Sequence, residues 1–299
     1  MSIQYWYMFP VSIVIATIAM ASGIGGATFF SPLFMLAMGL SPLFMLAMGL
    51  SPDVAIGTGL ITEVFGFASG IYSYSRKGLI DYKLSAALLM VTIPMAVLGS
   101  YITGIVDSNI LKVILGLGLI LVAVSFFKIP NREVVGHLDK SINQDYGGEK
   151  AKTCITTREG EKICYTVCNK LEGSAIAGLG GLFVGMVSTG LGELNEYFLL
   201  KRCRVPSKIS VATSVFIVAG TALAASIVHL IRFSQVGGDT LRIVLSIIVF
   251  TIPGVIIGGQ LGPILSSRIP SRILIISLGI LFSIVALITL AEVAFLKIN

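Results

Sequence analysis

Residues 84–103 read LSAALLMVTIPMAVLGSYIT, a stretch without a single charge. It matches the roughly 20 residues of helix that cross a bilayer core of about 30 Å. Its landmarks return later in the chain: Thr92-Ile93-Pro94 with Gly99 answers to Thr251-Ile252-Pro253 with Gly258, at the same internal spacing. Outward from it lie further apolar spans near residues 54–74, 110–127, 209–231, 241–262 and 272–296. A long apolar region opens each half, at 5–50 and at 174–200. The 299 residues are 55% hydrophobic and only 12% charged, against roughly 25% charged in a soluble domain. So few charges cannot cover a water-facing surface, so the membrane is the solvent of the whole architecture.

The formal net charge of +6 sits in short basic runs between the spans, where the positive-inside rule places it, and calls for no nucleic-acid partner. Met1 to Pro10 carries no charged n-region and no cleavage pattern follows, so the first span is expected to stay in the mature protein.

The two halves read as copies of one unit, residues 1–127 and 174–299, around a polar segment at 128–173. Ser22-Gly23-Ile24-Gly25 answers to Thr189-Gly190-Leu191-Gly192, and Ala55-Ile56-Gly57-Thr58 to Val211-Ala212-Thr213. Arg76, Lys77 and Lys83 follow the second segment of the first half, whereas Lys201, Arg202, Arg204 and Lys208 precede its counterpart. With both basic clusters cytoplasmic, equivalent spans run in opposite directions, the signature of inverted-topology repeats with a site at their interface. The 33 residues from 174 to 206 would make a helix of about 50 Å, too long for the core, so a Gly-rich broken or re-entrant hairpin is expected. The expected fold class is therefore all-α: a polytopic membrane protein of two inverted repeats, each a re-entrant helical hairpin plus three transmembrane helices.

Residues 31–40 and 41–50 are identical, and the second half has no counterpart; the extra turns are expected to bulge or extend the first hairpin. In the polar segment, Thr153 to Thr157 and Lys162 to Val167 flank Arg158-Glu159-Gly160-Glu161, a candidate β-hairpin in a cytoplasmic loop. Four cysteines are too few and too unevenly placed for a disulfide scaffold. Cys164 and Cys168, with Cys154 and His137 upstream, lack the second close pair of a metal site, which leaves a reduced loop or a redox sensor.

The order of Gly23-Ile24-Gly25-Gly26, of Leu50-Ser51-Pro52 before Ala55-Ile56-Gly57-Thr58, and of Gly78-Leu79-Ile80-Asp81-Tyr82, with its second-half echoes, resembles the sulfite exporter TauE/SafE permeases. The resemblance spans both membrane halves and implies a multi-pass carrier of sulfur-containing anions such as sulfite, sulfonates or related organosulfur acids. The chain departs from the family pattern at Gly190-Leu191-Gly192-Glu193-Leu194-Asn195-Glu196, which carries two acids, and in the repeated decamer and the cysteine-bearing loop.

An anion leaving water needs fixed donors, and backbone N–H groups at Gly-rich hairpin tips supply them. Gly23, Gly25, Gly26, Gly190 and Gly192 are thus candidate substrate-binding positions; close helix packing is the other reading. Thr58 and Thr213 are a candidate symmetric pair of substrate-lining hydroxyls. Glu63 sits deep in its span, with Val218 at the matching position, and intramembrane acids are costly enough to be functional by default. Glu63 and Glu193 are the candidate proton-coupling acids, and Glu196 the partner of a surface ion pair with Lys201 or Arg202. Pro94 and Pro253 mark matching kinks or hinges, while His229 and Arg232, near an outer helix end, read as interfacial anchors. No His-Glu-x-x-His, no Gly-x-Ser-x-Gly and no cofactor motif is present, which argues against an intramembrane enzyme. A proton-coupled secondary transporter in the cytoplasmic membrane is the leading expectation, and a passive anion channel its competitor. Neither the substrate nor the oligomeric state follows from the sequence.

Overall fold

The computed structural model describes residues 5–21, 52–127, 153–166, 169–188, 191–203, 205–236 and 240–266, with scattered positions from 276 to 291. Gly23, Gly25, Gly26, the repeated decamer, His137, Cys168 and Gly190 lie outside the described residues. The described elements are α1 (Met8–Ala21), α2 (Pro52–Lys77), α3 (Tyr82–Thr103), α4 (Ser108–Phe127), α5 (Lys170–Val187), the short α6 (Leu191–Glu196) running into a π-helical turn (Tyr197–Arg202), α7 (Ser207–Val236) and α8 (Thr240–Ser266). Two strands, β1 (Thr153–Thr156) and β2 (Lys162–Tyr165), lie between α4 and α5.

Local chemistry sets the helix starts. Asp81 caps α3 by accepting from the Leu84 N–H at 3.0 Å, and Asn169 caps α5 by accepting from the Leu171 and Glu172 N–H groups. Pro52 opens α2 at the position where a missing N–H costs nothing.

The side chains of α3 are arranged inside out compared with a soluble helix. Its buried face is Ser85, Leu88, Thr92, Ala96, Gly99, Ser100 and Thr103, while Met90, Val97, Leu98 and Tyr101 are exposed. Small and hydroxylated residues bring helices close in lipid, where the large apolar side chains have no water to escape. Three described helices are long and apolar enough to cross a membrane: Tyr82–Thr103, Ser207–Gln235 and Thr240–Leu261.

The packing has a regular pattern. Helix α1 lies on α8 and α5 on α3, while α7 packs on both α2 and α3 and α2 also packs on α8. Glycine permits the closest of these approaches. A Cβ on Gly181 of α5 would come within 2.6 Å of the Thr92 carbonyl oxygen of α3, and one on Gly254 of α8 within 2.7 Å of the Phe9 oxygen of α1. The order of contacts gives directions. Gly57 meets His229 and Gly70 meets Val215, so α2 and α7 run antiparallel. Asp81 meets Thr213 and Thr92 meets Thr221, so α3 and α7 run parallel; Thr62 meets Thr251 and Ser69 meets Gln260, so α2 and α8 do too.

The strands form an antiparallel hairpin with Cys154 opposite Cys164, and these two cysteines are disulfide-bonded. Cys203 is disulfide-bonded as well. This corrects the expectation of a reduced loop without disulfides: spacing rules weigh neighbours in sequence, whereas strand register brings residues ten apart face to face. The hairpin docks through Ile163 and Tyr165 onto Leu79, Ile80, Leu199, Val205, Ile209 and Ala212. The Arg158 N–H donates to the Lys77 carbonyl beside Gly78, whose φ of +69° suits glycine at that turn.

Candidate functional site

A helix that ends inside a bilayer leaves carbonyls without partners, and each such group costs several kcal/mol in hydrocarbon. Helix α5 starts at the hairpin face of the molecule and ends at Ser188, after 18 residues or about 27 Å of rise. The chain then returns through α6 to Arg202, whose Nε lies 3.0 Å from Glu172 in the first turn of α5. Segment 170–202 therefore enters and leaves at one face. The end of α5, at the fully buried Ser188, lies within the bundle near Thr103 at the end of α3.

Distant side chains supply the donors at that turn. The Ser188 N–H donates to the Val184 carbonyl, with Ser188 in the left-handed region at φ 61°. Thr103 of α3 donates to its own Gly99 carbonyl at 2.9 Å, with the Gly185 and Met186 carbonyls each at 3.4 Å. His229 of α7 places Nε2 3.3 Å from the Gly185 carbonyl oxygen. A carbonyl only accepts, so this Nε2 carries the hydrogen. Finally the Ser188 hydroxyl donates to Oε2 of Glu63 at 3.1 Å, joining α2 to the end of α5. Glu63 is 1% exposed and His229 is fully buried.

Two further hydrogen bonds cross the interior, Thr62 to Thr251 at 2.9 Å and Thr92 to Thr221 at 2.7 Å. The spacing of 159 residues from Thr92 to Thr251 recurs from Thr62 to Thr221. One pair thus repeats the other with the halves exchanged.

The predicted site residues fall in different places. Glu63 lies at the turn. Thr58 is buried but donates within its own helix, to the Val54 carbonyl at 2.7 Å. Thr213 accepts from the Asp81 N–H at 3.1 Å and tethers α7 to the start of α3, away from Thr58. Gly192 is buried in α6, and Glu193 lies in the same helix with its side chain outside the described residues. Arg202 pairs with Glu172, and the side chain of Glu196 lies outside the described residues. His229 is not an interfacial anchor: it lies toward a helix end as expected, but faces the bundle rather than water. Arg232 is half-buried and donates to the Ser100 carbonyl near the end of α3. Ser188, Thr103, Thr62 and Thr221 carried no sequence signal of their own; Thr92 and Thr251 did, as landmarks of the repeat. Among the described residues no cluster of His, Cys, Asp and Glu could hold a metal ion.

At the docked hairpin, the Tyr165 hydroxyl donates to Oδ2 of Asp81 at 2.6 Å. Burial raises the phenol above its ordinary value near 10, and the hydrogen bond to Asp81 and the charge of Asp81 raise it further.

The sequence profile of the sulfite exporter TauE/SafE family matches residues 8–289, nearly the whole chain. The chain belongs to this family. It is also similar to the "Probable membrane transporter protein YunE" of Bacillus subtilis (strain 168), with 24% identity over 226 residues, 76% of each chain. No solved structure matches it. With this membership the apolar helices are those of a multi-pass membrane protein, and the family's activity is membrane transport.

Proposed function

We propose that the protein is a secondary transporter of sulfur-containing anions such as sulfite, sulfonates or related organosulfur acids, coupled to protons through Glu63 and seated in the cytoplasmic membrane. The observation that carries the reading is the contact of buried Glu63 with Ser188, where α5 ends within the bundle. An ionised carboxylate about 6 Å from an anion repels it by about 3 kcal/mol at an effective dielectric of ~20. Proton binding removes that repulsion, so proton and anion travel together. The family's description as a sulfite exporter supports the substrate class.

Two inverted repeats rocking about a shared interface supply alternating access. The antiparallel run of α2 and α7, the matched packing of α1 on α8 and α5 on α3, and the exchanged threonine pairs all support this reading. In the register of those pairs the counterpart of Glu63 is Ala222 rather than Val218, and Thr58 pairs with Ile217. The acid therefore belongs to one half alone. Gly192 and the tip glycines Gly23, Gly25, Gly26 and Gly190 are the backbone donors of the proposal, with Glu193 a second coupling acid.

The hairpin face carries Arg76, Lys77, Lys83, Arg202 and Lys208, the bias of a cytoplasmic face. It also carries the Cys154–Cys164 disulfide, a bond typical of oxidising compartments. We take the charge bias to set the orientation; an impermeant maleimide that labels the reduced cysteines of intact cells would reverse it.

Counterflow of labelled sulfite in proteoliposomes, against thiosulfate, sulfonates and carboxylates, tests the function. A pH gradient drives accumulation by the wild type, and Glu63→Gln blunts that gradient-driven accumulation. Flux that never exceeds equilibration identifies a passive anion channel instead. Unchanged pH dependence in Glu63→Gln removes this acid from the mechanism.

A further inference from the structure

A folded interior leaves few polar atoms unpaired, because each one forfeits its bond to water without gaining another. Three such atoms fall together here. The Nδ2 of Asn195 and the Oγ atoms of Ser210 and Ser214 are buried, and none of these atoms has a hydrogen-bond partner among the described residues. Resting on the transport reading above, we propose that Asn195, Ser210 and Ser214 form a further subsite for the transported sulfur oxyanion, on the way between the Glu63–Ser188 contact and the hairpin face.

Packing places the three at one depth. A Cβ on Gly180 of α5 would come within 2.8 Å of the Leu191 Cα, and one on Gly173 would meet the Phe198 ring, so the return segment runs antiparallel to α5. Asn195 stands between Leu191 and Phe198. It is therefore level with the stretch of α5 from Gly173 to Gly180, about 5 to about 15 Å of rise from the helix start at Lys170. Ser210 and Ser214 lie about 5 and about 10 Å of rise from the start of α7 at Ser207, whose neighbour Lys208 pairs with Glu161 of the hairpin. The Glu63–Ser188 contact is deeper, at the far end of α5 after about 27 Å.

Direction agrees with depth. At about 100° per residue, Ser214 stands between Thr213, which meets Asp81 at the start of α3, and Val215, which meets Gly70 of α2. Ser210 is one turn earlier on the same face. Helix α6 also packs on α7, and with α2 and α3 at the flanks it takes the sector between them.

An amide nitrogen offers two hydrogens and a hydroxyl one, and neither brings a charge. Neutral donors can replace the water of an oxyanion without holding it as tightly as a fixed cation would, which suits a step in a passage. The basic residues Arg76, Lys77, Lys83 and Lys208 raise the local concentration of anions at the hairpin face.

Sulfite binding to the purified protein in detergent, read as the rise of its melting temperature with sulfite concentration, tests the subsite. Asn195→Leu roughly keeps the volume and removes the donor. It is expected to weaken sulfite binding about ten- to a hundredfold, the range for a hydrogen bond to a charged group, and Ser214→Ala about two- to tenfold. Without sulfite both variants melt at or above the wild-type temperature, since a buried unpaired group is gone. Donors that only hold the fold give the reverse, a lower melting temperature with unchanged affinity. Sulfite affinity equal to the wild type's in every variant that folds overturns the subsite, even if sulfite transport stands, and so does failure of both variants to fold. Wild-type protein that binds neither sulfite nor a sulfonate overturns the transport reading instead.

Discussion

The turn after α5 and the docked β-hairpin both join distant parts of the chain, but by different chemistry. At the turn, Thr103, His229 and Glu63 reach in from three helices to meet α5, and all are buried. At the hairpin, a disulfide fixes the strands while the ion pair Lys208–Glu161 stays at the surface. Lipid supplies no hydrogen bonds, so the backbone at the turn requires partners from protein. Water reaches the hairpin, so its polar groups need fewer protein partners; a disulfide holds its strands together and a small apolar dock seats it on the bundle. If this contrast is right, substitutions in the interior act on the whole fold, whereas those at the hairpin act locally.

The largest effect is expected where α5 crosses α3. A Cβ on Gly185 would collide with the Ala96 carbonyl oxygen and lie 2.8 Å from the Ser100 nitrogen, backbone atoms that cannot swing aside. Gly185→Leu is expected to cost at least about 3 kcal/mol, the upper range for overpacking, and to abolish the monodisperse species in detergent. Gly118 of α4 has nothing within 4 Å of its Cβ position, so Gly118→Ala is the control and leaves the melting temperature unchanged or raised. Equal tolerance of both changes would deny the tight crossing.

Next comes the strap. Replacing Cys154 and Cys164 together by Ser removes a cross-link between residues ten apart, worth about 3 kcal/mol in the chain-entropy account. The loss is expected in the hairpin alone, as faster tryptic cleavage at Arg158 with the helical melting transition unmoved. A fall in that transition would show that the strap stabilises the bundle as well.

How much of this was readable beforehand follows the same division. Long apolar spans are local patterns, and they give the helices. The 33 residues from 174 to 206 exceed one bilayer crossing, and the chain folds back after α5. Which side chain meets which carbonyl is not local. Ser188 looks like any small polar residue until α2 brings Glu63 beside it, and His229 reads as a water-seeking anchor until α2, α3 and α5 enclose it. In the repeat register proposed from the cross-helix threonine bonds, Thr58 and Thr213 stand one helical turn out of step, because short hydroxyl motifs recur in membrane helices. The cysteine pairing depended on strand register, which the charge-rich turn alone does not set.

A smaller effect is expected at the contact between hairpin and bundle. Asp81 is 7% exposed, caps α3 and accepts from Tyr165, so Tyr165→Phe removes one hydrogen bond from a buried carboxyl. The cost is about 1.5–3 kcal/mol, as for hydrogen bonds to charged groups. The raised value of the Tyr165 phenol fixes the sign of the pH effect. Its contribution is full below the ordinary value near 10 and is lost only as pH climbs above it. Tryptic protection at Arg158 is therefore expected to be flat between about pH 6 and about pH 9 and to fall above about pH 10. Tyr165→Phe lowers the plateau and removes the alkaline fall.

The smallest effect is expected for Lys208→Ala. Its side chain is 63% exposed and lies 3.4 Å from Glu161, itself 54% exposed, so water and salt screen the pair. Such pairs contribute about 0–1 kcal/mol, and less at high ionic strength, where the screening length shrinks to ~3 Å at 1 M salt. Tryptic protection at Arg158 should therefore shift by less than about fivefold in dilute buffer and not at all in 1 M salt. A larger shift that persists in salt would mean that the hairpin is held from the α7 side by charge, and its contrast with the interior turn would then be one of degree.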